Sequence, residues 1–345
     1  MAQGTTTVAK KEAGVSKRRM DARTLFGRYG ALIFLIALFI FFSLMKPNSF
    51  PTLFNIFNIV RQASIYGLVA IGMTFVILTG GIDLSVGSII ALAGIIAAAV
   101  YKGGTGLLDT AAGQTSGAGV LGALAIACLV GLICGSIQGT LISRLDIPPF
   151  IATLGGMTAF RGLTLIVGNG GPVSAFDESF NFLGQAKIGD VIPVPVVLFF
   201  GIALIAHIVL RYTQYGRHVY AVGGNREAAR LSGLNTRMMI LSVYMIVGLL
   251  AGLGGFVLAS RLNSAEAIAG TGYELTIIAG VVIGGTSLTG GEGRILGTVI
   301  GILLVSVLTA GLTQMNVNPY IQQILIGLVI VFAVWFDRFT KARRQ

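Results

Sequence analysis

Asp83 stands out chemically in this chain because it is a single acid between two strongly apolar runs. It lies in the glycine-rich segment GGIDLSVGS, residues Gly80–Ser88. An ionisable side chain in such surroundings is costly to desolvate and marks a functional position by default. Two interpretations are open: Asp83 caps the following helix by accepting backbone N–H bonds, or it lines a gate and bonds a polar substrate. A capped helix start beside glycines also makes a hinge. We therefore expect Gly80, Gly81, Asp83 and Ser85 to form part of a gate or pathway.

A second glycine-rich break, VVIGGTSLTGGEGR, carries the hydroxyl groups of Thr286 and Ser287. Neutral hydroxyls suit a neutral polyhydroxylated ligand better than an ion, although they also bond between helices without touching a ligand. We add both residues to the candidate pathway. The two breaks share the letters LTGG, at Leu78–Gly81 and Leu288–Gly291, each followed six residues later by a glycine. This is either an internal duplication, as in many transporters, or a coincidence in a glycine-rich chain.

The residue clusters that enzymes and metal sites need are missing from the sequence. Neither GxxxxGKS nor GxxxxGKT occurs, so we expect no phosphate-binding loop. The two histidines, His207 and His218, are too few and too far apart for a metal site. Cys128 and Cys134 lie six apart and do not share a helix face, so we interpret them as small buried residues. The prediction is a chain that is not an enzyme and holds no metal and no cofactor.

The composition indicates an all-α polytopic membrane protein. Of 345 residues, 54% are hydrophobic and 11% are charged, and the mean hydropathy is +0.87. Between Gln62 and Ser143 the only charged residues are Asp83, Lys102 and Asp109. A bilayer accommodates that much apolar surface if every backbone group bonds within its own helix. The net charge of +11 lies mainly in the tails and one loop, which favours a cytoplasmic membrane face rather than nucleic acid.

The apolar runs predict about ten transmembrane helices, some of them short or broken at glycine-rich turns. The first is Gly30–Met45, and the others lie near 63–79, 84–101, 119–142, 148–167, 192–210, 238–259, 275–289, 295–313 and 320–336. The predicted organisation is a basic tail over 1–29, a transmembrane domain over 30–337 with a basic loop at 211–237, and a basic tail over 338–345. Ten crossings put both tails and that loop in the cytoplasm, as the positive-inside rule requires.

The basic loop contains good helix formers in the stretch NREAARLSG. Asn225 is a suitable cap and Gly233 a suitable stop, so a short helix is expected between them. Two roles are open for it. It lies on the membrane surface, where its charge attracts anionic lipid, or it is a docking element for another protein.

Four segments together carry a resemblance to a known family: GGIDLSVGS, GRHVYAVGGNREAARLSG, AGTGYEL and VVIGGTSLTGGEGRILG. They begin at Gly80, Gly216, Ala269 and Val281. With these four segments in this order, the chain resembles the permease subunits of bacterial ABC importers for monosaccharides of the ribose, xylose, arabinose and galactose type. The resemblance extends from about residue 50 to the end of the chain. The resemblance implies a bacterial inner-membrane permease that forms the translocation pathway as a homodimer and carries a monosaccharide or small polyol.

The resemblance also implies partners beyond membrane lipid: a cytoplasmic ATPase that hydrolyses ATP and a periplasmic sugar-binding protein. Glu227, Ala228, Ala229 and Gly233 match the pattern by which ABC permeases seat a coupling helix in the ATPase, although the Ile-x-Leu-Pro of that pattern is absent. We carry over the coupling role for these four residues only. One rival interpretation is a self-contained secondary transporter, which would have only Asp83 and His207 for ion coupling.

Overall fold

The computed structural model describes residues 22–103 and 119–342, with side chains over 30–103 and 119–329 and at 331. In these ranges the chain forms thirteen helices and four two-residue strands. The helices are α1 (Ala22–Met45), α2 (Leu53–Leu78), α3 (Val86–Tyr101), α4 (Gly119–Ser143), α5 (Pro149–Val167), α6 (Glu178–Gln185), α7 (Val194–Tyr212), α8 (Gln214–Gly224), α9 (Arg226–Leu231), α10 (Thr236–Leu262), α11 (Tyr273–Ile283), α12 (Ile295–Gln314) and α13 (Pro319–Ala342). The strands are β1 (Val173–Ser174), β2 (Lys187–Ile188), β3 (Ile192–Pro193) and β4 (Ser264–Ala265).

The all-α membrane class is confirmed. Six helices are long and apolar enough to cross a bilayer: α2, α4, α5, α7, α10 and α12. Shorter apolar helices cover Gly30–Met45, Val86–Tyr101, Tyr273–Ile283 and Pro319–Val329, so the described residues contain ten apolar helices in all. α3 and α11 have 16 and 11 residues, fewer than the roughly 20 that a straight span needs.

Four helix boundaries differ clearly from those expected from the sequence. α13 ends at Ala342 rather than near 336, inside the predicted 338–345 tail. α1 begins at Ala22, inside the predicted 1–29 tail. α2 begins at Leu53 rather than near 63, because the Thr52 hydroxyl caps it by accepting the N–H of Asn55 at 3.3 Å. α11 ends at Ile283 rather than near 289, because Gly285 turns the chain with φ of +90°. Residues 1–21, 104–118 and 343–345, which hold most of the predicted tails and one predicted loop, lie outside the described residues.

α2 and α10 form the centre of the helix bundle. In their most apolar 18-residue windows 78% and 67% of residues are buried, against 28%, 28% and 33% in α4, α5 and α7. α10 packs against α2, α3 and α4. The outer helices expose large apolar side chains, which a bilayer solvates without cost.

The α4–α10 contact is made by glycines on both helices. A Cβ added to Gly131 would lie 2.1 Å from the carbonyl oxygen of Gly248, and one added to Gly252 would lie 2.2 Å from that of Ala127. Only glycine permits so close an approach of two helix backbones. These close contacts lie within one chain.

Short elements gather at the two ends of the bundle. β1 pairs with β4, and β2 pairs with β3; with α6 they form what we call the α6 end. α7 runs from β3 to α8, so α8 and α9 lie at the opposite end, which we call the α8–α9 end. Contacts of Gly223 in α8 place the glycine-rich turns after α2 and α11 at the α8–α9 end as well.

Candidate gate and coupling site

The first glycine turn, residues 79–85, holds Asp83 fully buried between α2 and α3. Its Oδ1 atom accepts the main-chain N–H of Ser85 at 2.8 Å and the Ser85 hydroxyl at 2.6 Å. Its Oδ2 atom has no partner among the described residues. The cap position of α3 is Ser85 itself. The expectation that Asp83 caps α3 is therefore corrected: its carboxylate bonds one residue short of the helix and fixes the turn that precedes it.

Tyr244 of α10 holds the same turn from the other side. Its hydroxyl donates to the carbonyl oxygen of Ile82 at 3.2 Å. A Cβ added to Gly81 would lie 2.6 Å from that hydroxyl, so the tyrosine is in contact with the turn's backbone. Sequence reasoning missed Tyr244. The sequence signal was a phenol hydroxyl inside a largely apolar span.

The second glycine turn, residues 284–294, contains Thr286 and Ser287. Thr286 is buried, and its Oγ1 atom lacks a partner among the described residues. The Ser287 hydroxyl bonds the Thr289 hydroxyl at 2.8 Å, and the Ser287 carbonyl oxygen accepts the N–H of Gly290 at 3.0 Å. These bonds close the turn on itself.

The two glycine turns contact each other through their backbones. The N–H of Gly291 donates to the carbonyl oxygen of Leu78 at 2.9 Å. A Cβ added to Gly290 would lie 3.0 Å from the nitrogen of Gly80. The two LTGG segments therefore meet at one place. The candidate pathway residues therefore lie on two adjoining turns. Asp83 and Ser85 bond each other on the first turn, and Ser287 bonds within the second.

α8 is the third member of this junction, which the sequence did not reveal. A Cβ added to Gly223 would lie 1.7 Å from the carbonyl oxygen of Leu78 and 2.6 Å from the nitrogen of Gly291. The Tyr220 hydroxyl donates to the carbonyl oxygen of Gly293 at 2.8 Å. We call the contact of both turns with α8 the glycine junction. Its one sequence signal is the pair Gly223–Gly224, which ends α8.

α9 carries three of the four predicted coupling residues and Gly233 follows it, and the expected short helix is confirmed. The Asn225 side chain accepts the N–H of Ala228 at 2.9 Å, and the chain turns at Gly233 with φ of +89°. Ala229 is buried, whereas Glu227 and Ala228 are exposed. The predicted 211–237 loop thus contains two helices, α8 and α9, and α9 presents most of its surface outward.

The charges of α9 are paired locally. Arg230 binds Glu227 through two contacts of 2.6 and 3.1 Å. These hydrogen bonds lower the pKa of the Glu227 carboxyl below its usual range, so Glu227 is ionised at neutral pH. Arg226 lies 3.5 Å from Asp146 in the turn between α4 and α5. Cationic and anionic groups therefore alternate across the exposed surface of α9.

A cavity of about 320 Å³ lies between α9, the first glycine turn and the α4–α5 turn. Gly80, Gly81 and Tyr244 line it on one side, and Asp146 and Arg226 on the other. Its volume lies at the lower limit for small-molecule sites. The cavity separates the charged surface of the α8–α9 end from the buried turn that holds Asp83.

No group of three or more His, Cys, Asp or Glu residues is placed to hold a metal within 22–103 and 119–342. Cys128 and Cys134 are both free thiols, the second of them buried. The candidate site therefore consists of backbone turns, hydroxyls, one buried carboxylate and an exposed helix. These groups offer hydrogen-bond donors and acceptors to polar molecules.

Residues 55–334 match the family model described as branched-chain amino acid transport system / permease component. The ribose import permease protein RbsC of Escherichia coli (strain K12) is 42% identical over 326 residues, which are 94% of this chain and 97% of that protein. The D-allose transport system permease protein AlsC of the same organism is 38% identical over 97% of this chain and 98% of its own length. The galactose/methyl galactoside import permease protein MglC, also from that strain, is 33% identical over 92% and 95%. No solved structure matches the chain significantly.

Proposed function

The chain belongs to the family of branched-chain amino acid transport system permease components, and we infer that within this family it is the membrane-spanning subunit of an ABC importer for a monosaccharide or related small polyol. One observation carries this conclusion. Three permeases named for ribose, allose and galactose each match more than nine-tenths of the chain at 33–42% identity. The family description mentions amino acids, but these matches extend over nearly the whole chain and concern sugars.

The permease does not hydrolyse ATP. An importer of this class takes its energy from a separate ATPase subunit and its substrate from a periplasmic binding protein, so both are partners of this inner-membrane chain. Homodimerisation is part of our proposal. The outer helices α4, α5 and α7 are largely unburied in one chain, and a dimer would bury part of that surface.

In this proposal the ATPase binds the permease at α9. This helix protrudes from the bundle with only Ala229 buried, and Glu227, Ala228 and Gly233 are accessible to a partner. Caps at both ends keep the helix rigid, since Asn225 bonds its first turn and Gly233 ends it. A rigid protruding helix transmits a displacement of its partner to whatever it contacts in the membrane domain.

The glycine junction receives that displacement. α8 connects directly to α9 at Asn225, and its Gly223 touches Leu78, which precedes the first glycine turn, and Gly291 in the second. A movement of α8 therefore shifts the starts of α3 and α12 together, because backbone contacts this close leave no free space. The junction supports a mechanism in which nucleotide-driven closure of the ATPase subunits opens or closes the pathway.

The pathway itself involves Gly80, Gly81, Asp83 and Ser85 on the first turn and Thr286 and Ser287 on the second. Their hydroxyls, main-chain groups and carboxylate offer hydrogen bonds to a polyhydroxylated solute. The contacts need only be weak, because retention in the pathway would slow release. The α8–α9 end faces the cytoplasm, and both chain termini lie on that side.

Reconstitution into liposomes tests this function. The chain is reconstituted with its ATPase, and a sugar-loaded binding protein is added outside, with ATP inside. We expect sugar accumulation only when all three proteins and ATP are present. Accumulation by the chain alone, driven by an ion gradient without ATP, would favour the secondary transporter instead. The relatives give that rival little support, because the three described above are named as import or transport-system permeases for sugars.

A further inference from the structure

We propose that the ATPase seat extends beyond α9 onto the turn between α4 and α5, residues 144–148, so that the same partner contacts two separate parts of the membrane domain. This inference rests on the proposed function, because it assumes that α9 meets an ATPase. It adds a second contact area, which we call the α4–α5 turn. It also adds a second path by which a displacement of the ATPase reaches the membrane helices.

Asp146 joins the α4–α5 turn to the coupling region. Its Oδ1 atom lies 3.5 Å from Arg226 at the start of α9, and its Oδ2 atom lies 4.0 Å from Arg237 at the start of α10. All three side chains are about half or more exposed, at 62%, 48% and 65%. Such pairs add little stability, but they show that the turn and α9 share one continuous surface.

This surface combines exposed leucines with a cationic rim. Leu145 is 63% exposed and Leu231 is 76% exposed, both beside charged residues. Exposed apolar side chains beside arginines give this surface apolar contact area, and arginine is enriched at protein–protein interfaces. The rim contains Arg144, Arg226, Arg230 and Arg237 against Asp146 and Glu227. Four cations against two anions leave a surplus of two positive charges, which fits a partner with an acidic rim and apolar pockets.

A soluble protein fits this surface better than a lipid headgroup layer. Asp146 and Glu227 place two exposed carboxylates among its cations, and an anionic membrane surface would repel both. The surface is also continuous with α9, the proposed ATPase contact. The 320 Å³ cavity opens between the two parts and gives a partner side chain room to enter.

The α4–α5 turn is stiff enough to transmit a displacement. Asp146 adopts the left-handed conformation with φ of +51°, and the N–H of Ile147 bonds the carbonyl oxygen of Leu141 at 3.2 Å. Pro148 and Pro149 follow and fix the start of α5. α5 packs against α3, so pressure on the turn reaches the helix that begins at the first glycine turn.

Co-purification of the complete importer tests the extension. Leu145→Asp places a charge in the proposed contact, and Leu231→Asp does the same on α9. Ile188→Asp is the matched control, because Ile188 is 53% exposed on β2 at the α6 end. With permease levels in the membrane equalised, we expect Leu145→Asp and Leu231→Asp each to lower co-purified ATPase by about tenfold, and Ile188→Asp to leave it unchanged.

The outcomes separate this inference from the proposed function. Normal ATPase recovery with Leu145→Asp but not with Leu231→Asp would overturn the extension and leave the α9 seat intact. Normal recovery with both would remove the coupling assignment as well. A benzophenone amino acid at position 145 covers the case in which Leu145→Asp fails to accumulate. A photo-crosslink to the ATPase supports the proposal, and crosslinks to lipid alone, or none, contradict it.

Discussion

The main-chain N–H of Gly291 donates a 2.9 Å hydrogen bond to the carbonyl oxygen of Leu78. The bond joins the two LTGG segments, which lie far apart in sequence: the first begins at the last residue of α2, and the second lies in the turn between α11 and α12. α8 closes the contact, because Gly223 touches both residues. The proposed coupling region and the proposed gate are thus one backbone-to-backbone assembly, and this contact is the basis of the first prediction.

Gly223→Ala should lower sugar uptake by about tenfold or more without preventing membrane insertion. The new Cβ would lie 1.7 Å from the carbonyl oxygen of Leu78, so the junction must open by a displacement of backbone. Such overpacking costs about 1–3 kcal/mol, enough to shift a balance between transport conformations by about tenfold or more. Gly224→Ala is the matched control, since nothing lies within 4 Å of a Cβ there. Equal uptake by both variants would argue against a tight junction.

Asp83→Ala should impair both uptake and thermal stability, whereas Asp83→Asn should retain most of the stability. Alanine leaves the N–H and hydroxyl of Ser85 without their acceptor, at a cost of about 1–3 kcal/mol. Asparagine keeps an oxygen at that place. Melting temperatures in detergent and uptake in liposomes are the two measurements. Normal values of both for Asp83→Ala would make the carboxylate dispensable.

Glu227→Lys and Gly233→Arg should weaken association with the ATPase while the permease still enters the membrane. The first change breaks the pair with Arg230 and reverses an exposed charge. The second forces a side chain into a residue with φ of +89°, which costs about 1–2 kcal/mol. Glu178→Lys is the control, because Glu178 occupies the first turn of α6 at the other end of the bundle. Unchanged ATPase recovery with both coupling variants would remove that assignment.

Gly248→Val should lower the melting temperature strongly. A Cβ at Gly248 would lie 2.2 Å from the carbonyl oxygen of Gly131, so α4 and α10 must separate along their main contact. The expected cost is about 1–3 kcal/mol or more. Gly201→Val, on the exposed surface of α7 with nothing within 4 Å, should be tolerated. Similar melting temperatures for the two variants would contradict the packing shown for this helix pair.

Reporter fusions test the proposed orientation. Reporters joined after Arg23 and after Arg343 should both report the cytoplasm, because ten crossings return the chain to its starting side. A reporter after Asp190, between β2 and β3, should report the opposite side. Opposite locations for the first two reporters would require an odd number of crossings.

The sequence was a good guide wherever a feature depends on neighbouring residues. Ten apolar runs correspond to ten apolar helices in the described residues. α9 begins after Asn225 and ends before Gly233, as its capping residues predicted. The start of α2 is an exception. Thr52 caps this helix at Leu53, ten residues before the apolar run from which the span was predicted.

What the sequence determined by itself was the membrane class, the number of apolar helices and the resemblance that points to sugar import. Only the tertiary structure decided which distant segments meet: Leu78 with Gly291, Gly223 with both, and Tyr244 with Ile82. The physical reason is that hydrophobicity and capping act over a few neighbouring residues, whereas close backbone contacts depend on how whole helices pack. A glycine in a turn and a glycine against another backbone look the same in a sequence, and only the packed bundle distinguishes them.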